Sequence, residues 1–292
     1  MKNANISRRN FLKAAGLCAV AASLPVTLTA CGGGKGLKIA VPNDTTNEAR
    51  ALLLLQENGI LTLKEGVDIT ATKKDIAENP YNIEIVEVEA AQIPNVLKDV
   101  DYAVINSNYA IAAGIDPTTE ALLIEGAASK YVNLLCCKDG NQNEPKVKAL
   151  SAALSSKKVA DFINETYAGS VVATVEAPLA DGLAPDVDYA ALKGTTVSCA
   201  CSPAPHADIL AIASEILEEQ GITLEVKQFD DYIIPNNVVE EGTLDTNYFQ
   251  HEPYMNDFNA QNGTHIVNVA GIHVEPMGVY GGKQSNLDAL KG

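Results

Sequence analysis

The run Asn247-Tyr248-Phe249-Gln250-His251-Glu252-Pro253-Tyr254 gathers three rings, two amides and an imidazole within a single short segment. Side chains of these kinds enclose and hydrogen-bond small molecules, and the run falls where an apolar strand hands over to a helix. In an open α/β sheet, ligands settle beyond the carboxyl ends of the strands. The whole chain has ten Tyr, five Phe and no Trp, so three rings in one short run is a concentration that suits gripping an apolar group. Packing of ordinary core rings is the competing reading.

Two further strand ends carry polar groups. In Pro42-Asn43-Asp44-Thr45-Thr46-Asn47-Glu48-Ala49-Arg50, residues 43–46 can cap a helix whose N-terminus attracts anions. Asn47 and Arg50 lie three apart on one helical face, where an amide and a bidentate guanidinium fork can take a carboxylate. Asn106-Ser107-Asn108-Tyr109 follows the apolar strand Ala103-Val104-Ile105, although asparagines also form turns. Three polar strand ends in two lobes predict a cleft that closes on a ligand.

Rival chemistry centres on the histidines. His251 with Glu252, and His273 with Glu275, are residue types that bind metal or carry protons, so a metal site using His251, His273 and Glu275 stays open. A hydrolase with His251 as base is the third reading. The chain has only four histidines, and neither a Gly-x-Ser-x-Gly elbow nor a Ser-His-Asp order is evident. His206 reads as a helix-start residue. Cys136, Cys137, Cys199 and Cys201 lie in apolar strand-like runs and read as buried free thiols, with a disulfide or a metal as alternatives.

The elements that must position these groups alternate. Strands are expected at 37–41, 83–88 and 102–105, with helices at 47–58 and 91–99 between them. A second series has a strand at 131–135, a helix over 145–167, a strand at 195–200, a helix at 206–220 and a strand at 222–229. A short helix at 235–241 follows, and the chain finishes with runs at 266–269 and 273–280. Such alternation implies βαβ units around mainly parallel sheets. Residues 37–127 are read as one α/β lobe carrying Asn47, Arg50 and Asn108. Residues 128–292 are read as a second, with a linker at 176–194.

The N-terminus reads as an address. Ser7-Arg8-Arg9-Asn10-Phe11-Leu12-Lys13, the mildly apolar run 14–27 and Leu28-Thr29-Ala30-Cys31 suggest a twin-arginine signal over 1–30, a lipobox with Cys31 lipidated, and a short tether at 31–36. Without residues 1–30, 17 basic residues face 37 acidic ones, a balance of −20. Phosphate backbones require clustered Lys and Arg, so nucleic acid is not an expected partner.

Several long motifs occur together: Ser202-Pro203-Ala204-Pro205-His206, Phe229-Asp230-Asp231-Tyr232, residues 247–254, His273-Val274-Glu275-Pro276-Met277-Gly278, Val41-Pro42-Asn43-Asp44 with Asn47 and Arg50, and residues 104–109. With them the chain resembles the NlpA/MetQ family of methionine-binding lipoproteins, which serve ATP-binding-cassette importers. The resemblance implies a type II periplasmic-binding-protein fold, no enzyme activity and no cofactor. It implies L-methionine as ligand, with D-methionine or a methionine peptide as alternatives. Arg50 would pair the carboxylate, Asn47 and Asn108 would hold the polar end, and Tyr232, Phe249, His251 and Tyr254 would enclose the side chain. The partners would be the permease and ATPase of the importer, with a monomer held to the outer face of the cell membrane through Cys31.

The order of the blocks differs from the family's, where the part resembling 195–290 comes first. The chain therefore resembles a circular permutation, with 176–194 as the joining segment. This order predicts one covalent crossing between lobes, near 126–132, and a looser, weaker-binding hinge than in the family order.

Overall fold

The computed structural model describes residues 36–126 and 131–291. The expected signal, the tether up to Lys35 and the lipidation site Cys31 lie outside the described residues.

In chain order the first lobe contains strand β1 (Lys38–Pro42), helix α1 (Thr45–Glu57), the hairpin β2 (Thr62–Leu63) and β3 (Ile76–Glu78), and β4 (Glu84–Val88). It continues through α2 (Ile93–Val96), β5 (Tyr102–Ile105), α3 (Ser107–Ala112), α4 (Pro117–Glu120) and β6 (Ala121–Ile124). The second lobe contains β7 (Val132–Lys138), α5 (Pro145–Leu154), α6 (Lys157–Tyr167), β8 (Val172–Ala173), α7 (Tyr189–Leu192), β9 (Thr196–Cys201), α8 (Asp208–Glu219) and β10 (Thr223–Gln228). It ends with α9 (Ile234–Glu240), β11 (Thr246–His251), α10 (Glu252–Asn262) and β12 (Ile266–Val274), after which comes β13 (Gly278–Gly281).

Both sheets follow one plan. Their orders are β4-β1-β5-β13-β6 and β10-β9-β11-β7-β12-β8. In each, one strand, β1 or β9, lies between two parallel neighbours, and the position beyond them is taken by an antiparallel strand, β13 or β7. That antiparallel strand arrives directly from the other lobe: β7 follows the first lobe, and β13 follows β12 of the second. Central strands buried on both faces read as continuous apolar runs, as Ile39-Ala40-Val41 and Tyr102 to Ile105 do.

The position of β13 corrects the expected boundary of the second lobe at 292. Gly278 pairs with Ile105 and Val279 with Val104, while Met277, Val279 and Leu290 join the core around Ile39, Leu52 and Val104. Burying apolar side chains such as Met277 and Val279 contributes roughly 1.5–3 kcal/mol each, which outweighs continuity along the chain. The lobes are thus joined by two crossings, at 125–131 and 275–277, where one was expected.

Residues 176–194 are also more ordered than a linker. The Leu179 backbone bonds Ser155 and Lys157, Lys148 pairs with Asp186, and Leu183, Val187, Tyr189 and Leu192 pack on the second-lobe core. The expected helix over 145–167 is two helices, because the Ser156 hydroxyl caps α6 by accepting from Val159 N at 3.1 Å. All four described cysteines are buried free thiols. Among the described residues, no helix is long and apolar enough to cross a membrane.

Candidate functional site

The three polar strand ends meet at one cleft. One side of its wall is formed by Asn47 and Arg50 of α1 and Asn106 to Asn108 at the end of β5. The other is formed by Asn133 of β7, Tyr232, Phe249 to His251 of β11 and Tyr254 of α10, with Glu275 on the crossing from β12 to β13. The space enclosed among these atoms is small, about 20 Å³ or room for about one water, so the walls stand close together. All seven side chains expected at the site, Asn47, Arg50, Asn108, Tyr232, Phe249, His251 and Tyr254, are therefore brought together.

The polar end is built from α1. Asp44 caps this helix by accepting from Asn47 N at 3.0 Å, and the Asn47 amide nitrogen also donates to Asp44 at 2.9 Å. The Asn47 carbonyl accepts from Asn106 Nδ2 at 2.8 Å. Asn47 is thus committed to holding the helix start rather than free for a ligand. Arg50 lies three residues on and is 5% exposed. Its Nε and one terminal nitrogen bond the carboxylate of Glu125, that same nitrogen bonds the Glu275 carbonyl at 2.8 Å, and the guanidinium lies 4.2 Å above the Tyr131 ring. One edge of the fork is therefore held by Glu125, while Nη1 has no hydrogen-bond partner among the described residues.

The apolar end is a cage of rings. Tyr232 lies 5.8 Å from both Phe249 and Tyr254, and Phe249 lies 6.1 Å from Tyr254, at spacings typical of aromatic pairs. A register shift between Tyr248 and Gln250 explains how neighbours on one strand reach one cavity, because a bulge cancels the usual alternation. Below Gln250, its amide and those of Asn236 and Asn247 bond one another in a closed buried set, which fixes β11 against α9. Asn247 is thus a support rather than part of the wall.

His251 caps α10, its Nδ1 accepting from Tyr254 N at 3.3 Å. The proton therefore sits on Nε2, which faces Asn47 Oδ1 at 3.5 Å. Burial, with the Arg50 charge adding to it, pushes this imidazole well below its usual range, so it is neutral. A base role would need a nearby nucleophile, yet the Ser107 hydroxyl in the same wall already donates to the Pro276 carbonyl.

The expected metal set is regrouped. His273 and Glu275 come together, but their third companion is His206, from the turn before α8, and not His251. His273 Nε2 stands 2.7 Å from Glu275 Oε1, and His206 Nε2 stands 3.4 Å from the same oxygen and 3.0 Å from Asn133 Oδ1. A 2.7 Å separation is a hydrogen bond, whereas two ligands on one tetrahedral zinc stand about 3.3 Å apart. Burial pushes His206 down to about 4 and His273 down to about 3. It pushes the Glu275 carboxyl up, against the pull of His206, Arg50 and the Asn108 N–H.

Sequence reasoning missed Glu125 as the partner of Arg50 and Asn133 in the wall, and it named the stretches holding Asn106, Ser107 and Gln250 without giving those side chains a role. It also gave His206 only a helix-start role. The one available signal was Arg50 itself, because an arginine in a buried helix start needs a carboxylate.

Two sheets of one strand order, joined by two crossings around a cleft with a polar and an aromatic end, define a two-lobed α/β binding protein of the type II periplasmic-binding-protein fold. The family model for the NlpA lipoprotein matches residues 34–175 and 197–292, and the chain belongs to that family. Residues 5–25 match the signal sequence of the twin-arginine translocation pathway. The chain is 42% identical over 137 residues to the probable D-methionine-binding lipoprotein MetQ of Vibrio cholerae, covering 47% of this chain and 51% of that protein. It is 43% identical over 138 residues to the membrane lipoprotein TpN32 of Treponema pallidum, covering 47% and 52%. A nutrient-binding protein from Burkholderia cenocepacia, solved bound to methionine, is 44% identical over 47% of this chain and 58% of that one, with a TM-score of 0.42. The chain spans about half the length of the curated relatives it matches.

Proposed function

We propose that this chain is the substrate-binding lipoprotein of an ATP-binding-cassette importer, closing its two lobes over methionine and delivering it to the permease. The observation that carries this reading is the polarity of the cleft: Arg50 and Glu275 at one end, and the rings of Tyr232, Phe249 and Tyr254 at the other. A free amino acid needs a cation for its carboxylate and an anion for its ammonium, and Glu275 is the one carboxylate in the described wall. A thioether is apolar and polarizable and makes favourable contacts with ring edges. Its relatives named D-methionine-binding lipoproteins point the same way. Lipidation of Cys31 would hold a monomer at the outer face of the cell membrane.

Titration calorimetry of the metal-stripped protein tests this reading. Heat with L-methionine that Arg50→Ala abolishes supports it; heat with zinc alone, or turnover of a methionyl peptide, refutes it. D-methionine and a methionine dipeptide in the same titration rank the remaining alternatives.

The chain order is part of the proposal. Leu37 from the start of the first lobe and Leu287 and Leu290 from the chain's end pack on one core, and residues 176–194 strap the second lobe before β9 begins. Both facts suit a family fold whose former ends are joined and whose new ends lie side by side.

A further inference from the structure

The cleft wall shows Glu275, but most of the groups that hold this carboxylate lie behind it. Its Oε1 receives His273 Nε2 at 2.7 Å, His206 Nε2 stands 3.4 Å from the same oxygen while bonding Asn133 Oδ1 at 3.0 Å, and His273 Nδ1 is bonded to the hydroxyl of Tyr248. His206, Tyr248 and His273 are 0–1% exposed, and none of the three lines the cleft. They come from three separate stretches of the second lobe: the turn before α8, β11 and β12.

The proton positions follow from the partners. An ionised carboxylate only accepts, so both Nε2 atoms carry hydrogen, and His273 Nδ1 then accepts from the Tyr248 hydroxyl. Oε1 accepts from His273 Nε2 with the His206 ring close beside it. The carboxyl also accepts from the Asn108 N–H and keeps further lone-pair capacity for a ligand. The other end of the same residue is fixed as well, since the Glu275 carbonyl accepts from Arg50 at 2.8 Å. Arg50 and the Glu275 carboxylate are thereby set at a fixed separation, as the two poles of an α-amino acid require.

We propose that His206, His273 and Tyr248 form a positioning platform that aims the Glu275 carboxylate into the cleft, and that this platform makes the cleft select an α-ammonium over an α-hydroxyl. The proposal rests on the amino-acid reading of the cleft. His206, His273 and Tyr248 touch no ligand in this account and act only through Glu275. Three imidazole and hydroxyl contacts are a costly way to fill an apolar core, and a carboxylate left to swing would meet a ligand hydroxyl as readily as an ammonium. Fixing the carboxylate turns a nonspecific acceptor into a discriminating one.

The test compares L-methionine with 2-hydroxy-4-(methylthio)butanoate, which has the same side chain and carboxylate but no ammonium. The wild-type chain should prefer methionine by at least about 100-fold, because a buried site built for one polar group rejects the analogue lacking it. Glu275→Gln should reduce that preference below about 10-fold, and His273→Gln and His206→Gln should reduce it toward the same value while holding the hydroxy acid within about 3-fold of wild type. Tyr248→Phe keeps the buried ring and the fold, and should lower the preference by about 2- to 10-fold through the loss of one hydrogen bond. Variants that weaken both ligands equally have only a structural role, and that result overturns the proposal. A wild-type preference that Tyr248→Phe and the surviving histidine variants leave unchanged also overturns it. If the wild type binds neither compound, the amino-acid reading falls and the platform falls with it, an outcome separate from the other two.

Discussion

Replacing Tyr109 with Phe should weaken ligand binding without touching the ligand. Tyr109 belongs to α3 in the first lobe, and its hydroxyl donates to the Asp230 carbonyl of the second lobe at 3.0 Å. Its ring lies 5.0 Å from that of Tyr232, whose hydroxyl donates in turn to Asn108 Oδ1 at 2.8 Å. These contacts span the two lobes and exist only while the lobes are together. Tyr109 is absent from the cleft wall, so its loss reports closure rather than ligand contact. Asp230 is exposed, so water can replace the lost donor and no buried acceptor is stranded. The cost is then one net hydrogen bond, about 1 kcal/mol. If the bond forms only on closure, that cost appears in affinity as roughly a 5-fold loss. The double variant with Tyr232→Phe should lose more than 10-fold, because a second bond of about 1 kcal/mol goes and Tyr232 also faces the ligand. Calorimetry gives the affinity, and stopped-flow dissociation should show the change mainly in the off-rate. An affinity for Tyr109→Phe within about 1.5-fold of the parent, a change of only a few tenths of a kcal/mol, would refute the latch.

Acid should destabilise the fold through the buried histidines. His206 is lowered to about 4 and His273 to about 3, so the unfolded chain takes up protons first as pH falls below the usual imidazole value. Stability from these two groups is thus full above about pH 6.5 and declines toward pH 4, by roughly 1.4 kcal/mol per pH unit for each group, with the raised Glu275 acting in the opposite direction. Urea midpoints at pH 7.5 and 4.5 measure this, and equal midpoints contradict it. The rebuilt family order, with 195–290 placed ahead of 37–175, should bind methionine within about 3-fold of this chain, because both crossings survive in either order. A much tighter rebuilt chain would restore the loose-hinge expectation that the position of β13 removed.

The readable parts of the chain were those with local causes. Apolar runs such as Ile39-Ala40-Val41 and the capping stretch before Asn47 announce a strand and a helix start by themselves, and polar residues at three strand ends announce a cleft. Pairings that depend on distant chain were hidden. Nothing near Glu125 indicates that it lies against Arg50, and β13 resembles any apolar strand until its partners in the first sheet are known. The motif His273-Val274-Glu275 drew attention to metal chemistry, but its outcome depended on His206, which the turn before α8 carries to the same point. Residues 176–194 have the composition of a linker because their Pro, Gly and Asp residues make turns. Their four apolar side chains are spaced too irregularly to announce the face on which they pack.

The most direct test of the central claim is a crystal structure of the protein grown with L-methionine. The account predicts one molecule in the cleft, with its carboxylate on the free edge of Arg50, its ammonium on Glu275 and its thioether among Tyr232, Phe249 and Tyr254. Methionine bound in the reverse direction, or outside the cleft while it stays empty, would contradict it.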